Sequence, residues 1–215
     1  MDECAALARR AGQELWNRFR IPVYFYEAAA TRSDRVNLEN VRRGQFEGLR
    51  EKAQGNPDRA PDIGGPGLHP TAGATAVGAR KILIAYNVYL NTIDVSVARE
   101  IARAIRASSG GLLCVEAMGI EIKSRGAAQV SINLTDYETT PLHVVFEAVK
   151  REAERRGCQV SASEIVGLIP RKALEVPREC DLQLENFSPD RILENRLVSV
   201  AQIRSPASAE TQNGR

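Results

Sequence analysis

The sequence predicts an α+β chain in which a complete four-stranded, two-helix unit follows the closing part of a second, similar one. Three observations lead there. Residues 82–169 alternate strand-like and helix-like runs in a regular order, each bounded by turn chemistry. Residues 60–81 are rich in glycine and proline and separate those runs from the start of the chain. The first 59 residues supply one clear amphipathic helix and one strand, too few elements to close a sheet of their own.

From Asp2 to Phe19, the residues Cys4, Leu7, Ala8, Ala11, Leu15 and Phe19 recur at helical spacing, with Arg9, Arg10, Glu14 and Arg18 off the stripe. Pro22 stops this helix, and Val23-Tyr-Phe-Tyr26 reads as a short buried strand. Between Thr31 and Ala53, Val36, Leu38, Val41, Phe46 and Leu49 mark one or two short helices with a break at Gly44. Gln54-Gly-Asn-Pro-Asp58 is a turn. Between Ala60 and Gly78 stand five glycines (Gly64, Gly65, Gly67, Gly73, Gly78) and three prolines (Pro61, Pro66, Pro70). Such a path either lets backbone N–H groups approach a ligand or links two folded pieces.

Ile82 to Leu90 is a strand rich in β-branched and aromatic residues. Asp94 caps a helix carrying Val97, Ala98, Ile101, Ala104 and Ile105 on one face, and Ser108-Ser-Gly-Gly111 ends it. A strand from Leu113 to about Lys123 changes phase at Gly119, which predicts a bulge there. Ser124-Arg-Gly126 turns the chain back into a strand with Val130, Ile132 and Leu134 on one face. Thr140-Pro141 opens a second helix, as cap and first helical residue. Its buried stripe is Leu142, Val145, Phe146, Val149 and Ala153, and Gly157 terminates it. Gln159 to Ile169 is the last strand, Pro170 to Leu174 a helical turn, and residues 205–215 a polar tail expected to be disordered. Strand, helix, strand, strand, helix, strand is the split β-α-β-β-α-β order of a ferredoxin-like sandwich. The expected division is a remnant subdomain over 1–59, a connecting or binding loop over 60–81, a complete subdomain over 82–204 and the tail.

The strand at Val23–Tyr26 has no partner in this reading. A lone short strand leaves its N–H and C=O groups unpaired, so either it joins another sheet or its partners are absent. We therefore expect Met1 to be an internal methionine of a longer protein.

Composition narrows the function classes. Apolar content of 43% and charged content of 26% are ordinary for a folded protein. A net charge of +2, with basic residues dispersed along helices and few aromatics, argues against nucleic acid. The cysteines at 4, 114, 158 and 180 form no C-x-x-C pair, so neither a zinc site nor a disulfide framework is expected. No apolar run reaches the ~18–20 residues of a membrane span, and the first residues do not follow a secretory pattern. A reduced, cytoplasmic protein without metal is the expectation.

The residues with most character are Ala60-Pro-Asp62, Leu68-His-Pro-Thr-Ala-Gly-Ala-Thr-Ala-Val-Gly-Ala-Arg-Lys81, Leu83-Ile-Ala-Tyr-Asn87, Ala128-Gln-Val-Ser-Ile-Asn133 and Val166-Gly-Leu-Ile-Pro170. In order, and up to about Leu197, they resemble the glutamate formimidoyltransferase family, the formiminotransferase module of formiminotransferase-cyclodeaminase. The resemblance implies two ferredoxin-like subdomains with a substrate tunnel between them. It also implies transfer of the formimino group of N-formimino-L-glutamate to N5 of tetrahydrofolate, a step of histidine degradation, by a homodimer of the monofunctional type. Tetrahydrofolate would be a co-substrate, and no metal is implied.

By the same resemblance, Gly64, Gly65, Pro66, Gly67, Leu68, His69, Pro70, Thr71, Ala72 and Gly73 form the folate-binding loop. His69 is either a donor to the ligand or a plain surface histidine. Arg80 and Lys81 precede a strand, where they either pair with substrate carboxylates or stand solvated. Asn87 and Asn133 interrupt apolar strands and need hydrogen-bond partners, from backbone or from ligand. His143, in the first turn of a helix, reads as structural or solvent-facing, Cys114 and Cys158 as small core residues, and Asp136 with Glu138 as a turn cluster. The family's catalytic histidine lies in a His-Lys-Gly-Glu-His-Pro-like segment, and neither His69 nor His143 has that context. No catalytic residue is assigned, and impaired turnover is expected of this chain. The alternative is a non-catalytic folate-binding or interaction protein of the same fold.

Overall fold

A computed structural model describes residues 1–204, and the chain divides into one unit over Met1–Lys81 and a second from Ile82 onward. The tail expected to be disordered, 205–215, lies outside the described residues.

The first unit contains α1 (Asp2–Phe19), β1 (Val23–Glu27), α2 (Leu38–Arg42), α3 (Gln45–Ala53) and β2 (Thr75–Ala79). Gly44, at φ +86, separates α2 from α3 as its backbone freedom predicts. The expectation of an unpartnered strand is corrected. β1 pairs in parallel with β2, from Val23 opposite Thr75 to Glu27 opposite Ala79. β2 arises inside the stretch read as glycine-rich loop, because its small residues and Gly78 hide the alternation. Gly78 serves the pairing itself, since a Cβ there would stand 2.6 Å from the ring of Tyr26 in β1.

The stripe on α1 is also corrected. The face that packs is Ala5, Ala8 and Gly12, with Leu15 beside them, against Val23 and Phe25 of β1. A Cβ at Gly12 would lie 2.7 Å from the Phe25 ring. Small side chains let helix and strand approach closely, and that contact outweighs the larger apolar residues Leu7 and Phe19, each 59% exposed. Cys4 and Ala11 are exposed with them.

The second unit runs β3 (Ile84–Leu90), α4 (Val95–Ile105), β4 (Val115–Ile122), β5 (Ala127–Leu134), α5 (Leu142–Glu154), β6 (Val160–Val166) and α6 (Leu193–Arg204). It is an α+β arrangement. The sheet order is β4-β5-β3-β6, with every neighbouring pair antiparallel. Period-two alternation sends Ile84, Tyr86, Val88 and Leu90 of β3 and Val130, Ile132 and Leu134 of β5 to one face. There they meet Ala98, Ile101 and Ile105 of α4 and Leu142, Val145, Phe146, Val149 and Ala153 of α5. The side chain of Asp94 accepts from Ser96 N at 2.8 Å and caps α4 as expected.

Two local expectations fail for physical reasons. Thr140 does not cap α5: its hydroxyl donates to Leu113 O at 2.6 Å, satisfying a carbonyl before β4. Gly119 marks no bulge, because β4 and β5 stay in one register from Val115 opposite Leu134 to Ile122 opposite Ala127. Glycine is needed because α4 crosses there: a Cβ at Gly119 would lie 2.3 Å from Arg99 N and 2.5 Å from Ala98 C. Ile120 and Ile122 keep phase and belong to the face away from the helices. The sheet's irregularity falls instead between Tyr89 and Leu90, where β3 meets β6.

Gly119→Val forces α4 off the sheet, and we expect a loss of about 1–3 kcal/mol in denaturant unfolding. A stability within 0.5 kcal/mol of the parent would show that the helix can shift without cost.

Candidate functional site

In the first unit the glycine-rich stretch is held by a buried ion pair. Arg35 and Asp62 lie 2.7 Å apart, with side chains 5% and 6% exposed. Asp62 also accepts from Phe25 N at 2.8 Å and from the Thr31 hydroxyl, so its carboxylate stands where a neighbouring strand would otherwise satisfy β1. Arg35 donates its other nitrogen to Asp58 O and Ala60 O, at 3.1 and 2.7 Å. Val23 completes the junction, donating to Ile63 O and accepting from Asp62 N. The Arg35 guanidinium lies 5.2 Å from the Tyr24 ring centre, and Tyr24 OH donates to Arg59 O at 2.7 Å. Burial pushes the Tyr24 phenol up to about 12. Arg59 in turn donates to Asn40 O, Val41 O and Arg43 O, closing the carbonyl end of α2.

The loop itself, Gly64 to Gly73, is pinned at both ends by aromatic rings. Gly64 has φ +83, and a Cβ there would lie 2.6 Å from Trp16; Gly73 has φ +70 and would meet Phe46 at 2.8 Å. Gly65 faces open space and Gly67 lies near Gln54. Leu68 packs beside Tyr24, Val41 and Leu49, while Pro66, Pro70, Thr71 and Ala72 are exposed. His69 and Gly73 exchange backbone hydrogen bonds of 2.8 and 3.0 Å. Within that turn, His69 Nδ1 accepts from Ala72 N at 3.0 Å and from Thr71 N at 3.3 Å. A nitrogen that accepts two backbone N–H groups carries no proton, so the ring proton sits on Nε2. Arg80, just after β2, is exposed and makes no hydrogen bond or ion pair among the described residues.

In the second unit the remaining predicted residues fall on the sheet face opposite the helices. The register aligns Glu116, Asn133, Ala85 and Val166 in one row, Met118, Ser131, Asn87 and Glu164 in the next, and Ile120, Gln129, Tyr89 and Ala162 in a third. Asn87 and Asn133 are therefore diagonal neighbours across β3 and β5, the first half-buried and the second exposed. Asn133 donates to Glu116 at 3.4 Å. A linked set of polar groups crosses the third row, and sequence reasoning missed it. Tyr89 OH donates to Glu164 Oε2 at 2.8 Å. The Arg125 guanidinium lies 4.1 Å from the Tyr89 ring centre and is bidentate to Glu185. Glu185 sits on a strand-like extension beside β6, fixed by Ser163 N to Gln183 O and Glu185 N to Ser163 O. Burial, then the bond to Glu164, raises the Tyr89 phenol, which stays protonated and donating. Glu185 is held low by Arg125. These residues are scattered over four segments of sequence, and their alternation with apolar neighbours was the one available signal.

The other residues singled out have local roles. Asp136 accepts from Glu138 N and the Thr139 hydroxyl, a turn cluster as expected. His143 is half-buried, its Nδ1 without a hydrogen-bond partner among the described residues. Cys158 is buried, and burial raises its thiol pKa. Cys114 lies before β4 rather than in a strand, at φ +59. Among the described residues no group of three His, Cys, Asp or Glu is placed to hold a metal, and no helix is long and apolar enough to cross a membrane.

Comparison with known proteins places both units. Residues 1–80 match the N-terminal subdomain of the formiminotransferase domain, and residues 85–201 match the formiminotransferase domain that follows it. The chain belongs to the formiminotransferase domain family. It is 44% identical over 197 residues to a glutamate formimidoyltransferase of Streptococcus pyogenes serotype M1, covering 91% of this chain and 66% of that protein. To a glutamate formimidoyltransferase of Thermoplasma acidophilum it is 40% identical over 205 residues, covering 94% of this chain and 67% of the relative. A formimidoyltransferase-cyclodeaminase of Gallus gallus is 41% identical over 180 residues, covering 81% of this chain and 33% of its own length. The chain thus spans about two thirds of the length of the first two.

Removing one member of a buried ion pair leaves the other uncompensated. Arg35→Met is expected to destabilise the first unit by about 3–5 kcal/mol, read as faster amide exchange at Phe25 N and the other β1 amides. Unchanged exchange at Phe25 would show that Asp62 does not need its cation.

Proposed function

We propose that the chain is part of a glutamate formimidoyltransferase that moves the formimino group of N-formimino-L-glutamate to N5 of tetrahydrofolate in histidine degradation. The observation that carries this is the 44% identity, over 91% of the chain, to a protein named for that activity. In chemical terms, N5 attacks the formimino carbon, the bond from that carbon to the glutamate nitrogen breaks, and the N5 proton passes to the departing nitrogen. A histidine suits that proton transfer.

The strand order β4-β5-β3-β6, with antiparallel neighbours and α4 and α5 buried against one face, supports a ferredoxin-like sandwich for the second unit. The folate loop of this reading is Gly64 to Gly73. Its tip is exposed, its ends are locked by Trp16 and Phe46, and the Nε2–H of His69 is a donor held in a fixed direction. The backbone N–H groups of Gly65 and Gly67, held in a rigid loop, are the ones offered to a flat ring without a cost of ordering. Arg80, with no partner among the described residues, is offered to the carboxylates of either substrate, and Asn87 and Asn133 to their polar groups. The working form is taken to be a cytoplasmic homodimer.

Folinate is the test ligand. Trp16 is the chain's one tryptophan and lies against Gly64, so saturable quenching of its fluorescence, with a raised Tm, is expected. A folded chain that leaves Trp16 unchanged at millimolar folinate would remove the loop from the reading.

Turnover by this polypeptide alone is expected to be slight. His69 uses Nδ1 to close its own turn, His143 is half-buried, and neither lies in the family's acid–base segment. Steady-state assay of the purified 215-residue chain checks this, and rates matching the longer relatives would overturn it.

A further inference from the structure

Three half-buried or buried carboxylates of this chain each face a guanidinium: Asp62 with Arg35, Glu185 with Arg125 and Glu152 with Arg156. Glu164 is different. It is half-buried on the open face of the sheet and has no cationic partner among the described residues. Its Oε2 accepts from Tyr89 OH, and no bond to its Oε1 is recorded among the described residues. Arg125, the guanidinium stacked on Tyr89, is committed to Glu185. A chain of contacts running Glu185, Arg125, Tyr89, Glu164 therefore fixes a carboxylate without neutralising it. Directly across the strand pair stands Asn87, with Ser131 beyond it in the same row.

We infer that Glu164 is the residue that selects the donor by the charge of the group it delivers. The inference rests on the transferase reading and deepens it. A formimino group is an amidine and is protonated at neutral pH. A formyl group of the same size and shape is neutral. An amidinium presents two N–H donors in one plane, the geometry a carboxylate accepts in a bidentate pair. Glu164, held by Tyr89 and lacking an internal cation, offers that acceptor, and Asn87 offers an amide beside it. A neutral formyl donor would displace water from the half-buried carboxylate without supplying a cation in its place, and desolvating an uncompensated charge is costly. Discrimination against the formyl analogue therefore comes from an unsatisfied charge rather than from a steric wall, the strong form of substrate rejection. Glu116, the other carboxylate on this face, is exposed and already bonded to Asn133, so it does not meet the same requirement.

The test is calorimetric titration of the chain with N-formimino-L-glutamate and with N-formyl-L-glutamate, for the parent and for Glu164→Gln. The parent is expected to prefer the formimino compound by about tenfold or more in Kd, and Glu164→Gln to bind the two within about twofold. Should Glu164→Gln fail to fold, Tyr89→Phe keeps the charge but removes its anchor and is expected to narrow the preference. A parent without preference, a Glu164→Gln that keeps the parent's preference, or a Tyr89→Phe that leaves it unchanged would each overturn the assignment. Folinate binding without binding of either donor would overturn this inference and leave the transferase reading in place. Failure of a folded chain to bind folinate or either donor would overturn both.

Discussion

The first unit depends on one buried contact, the ion pair of Arg35 and Asp62. A single carboxylate satisfies an amide of β1, a threonine hydroxyl and a guanidinium. The guanidinium then holds two carbonyls of the segment leading into the glycine-rich loop. Without it, β1 would keep an open edge on the side away from β2, and the entry to the loop would lose its anchor. A buried pair is not in itself a strong source of stability, because desolvation offsets the attraction. Its value here is that it fixes one path for a stretch of chain that has almost no apolar side chains of its own. Arg59 does similar work at the end of α2, where it holds three backbone carbonyls.

The second unit solves a different problem. Its sheet gives one face to the helices and carries on the other a mixture of polar side chains and apolar ones such as Met118, Ile120 and Val166, and the close approach of α4 over Gly119 sets how tightly the helix-covered face closes. The open face is populated by amides, a hydroxyl and carboxylates in register, so any small polar ligand there meets groups placed by the pleat rather than by loops. Strand-borne side chains are held more rigidly than loop-borne ones.

Much of this was legible in the sequence, and the failures share a cause. The alternation of Val130, Ile132 and Leu134, the Asp94 cap and the stripe of α5 are local signals, and they predicted their elements well. β2 was missed because Thr75, Ala76, Val77, Gly78 and Ala79 look like loop until a partner strand is supplied. The packing face of α1 was misjudged because Gly12 and two alanines carry no hydrophobic signal, although they are what a close contact requires. Gly119 looked like a bulge because the sequence does not show that a helix crosses it. In each case a long-range neighbour decided the meaning of a small residue. The Glu164 set was illegible for the same reason, since Tyr89, Arg125, Glu164 and Glu185 meet only after the sheet has formed.

The parallel pairing of β1 with β2 carries a kinetic consequence. Two parallel strands cannot be joined by a hairpin, and here the connection is the whole of residues 28–74. Closing a loop of that size must precede the contacts that reward it, whereas β4 and β5 of the second unit meet across the short turn 123–126. Arg35 with Asp62 lies inside the longer connection, and Tyr24 ties Arg59 of that connection back to β1, so its closure divides into smaller steps. The two units therefore differ in how they are reached as well as in how they are held. The β4–β5 hairpin can form from a local encounter, whereas the glycine-rich loop is framed only when β2 has returned to β1 across the long connection.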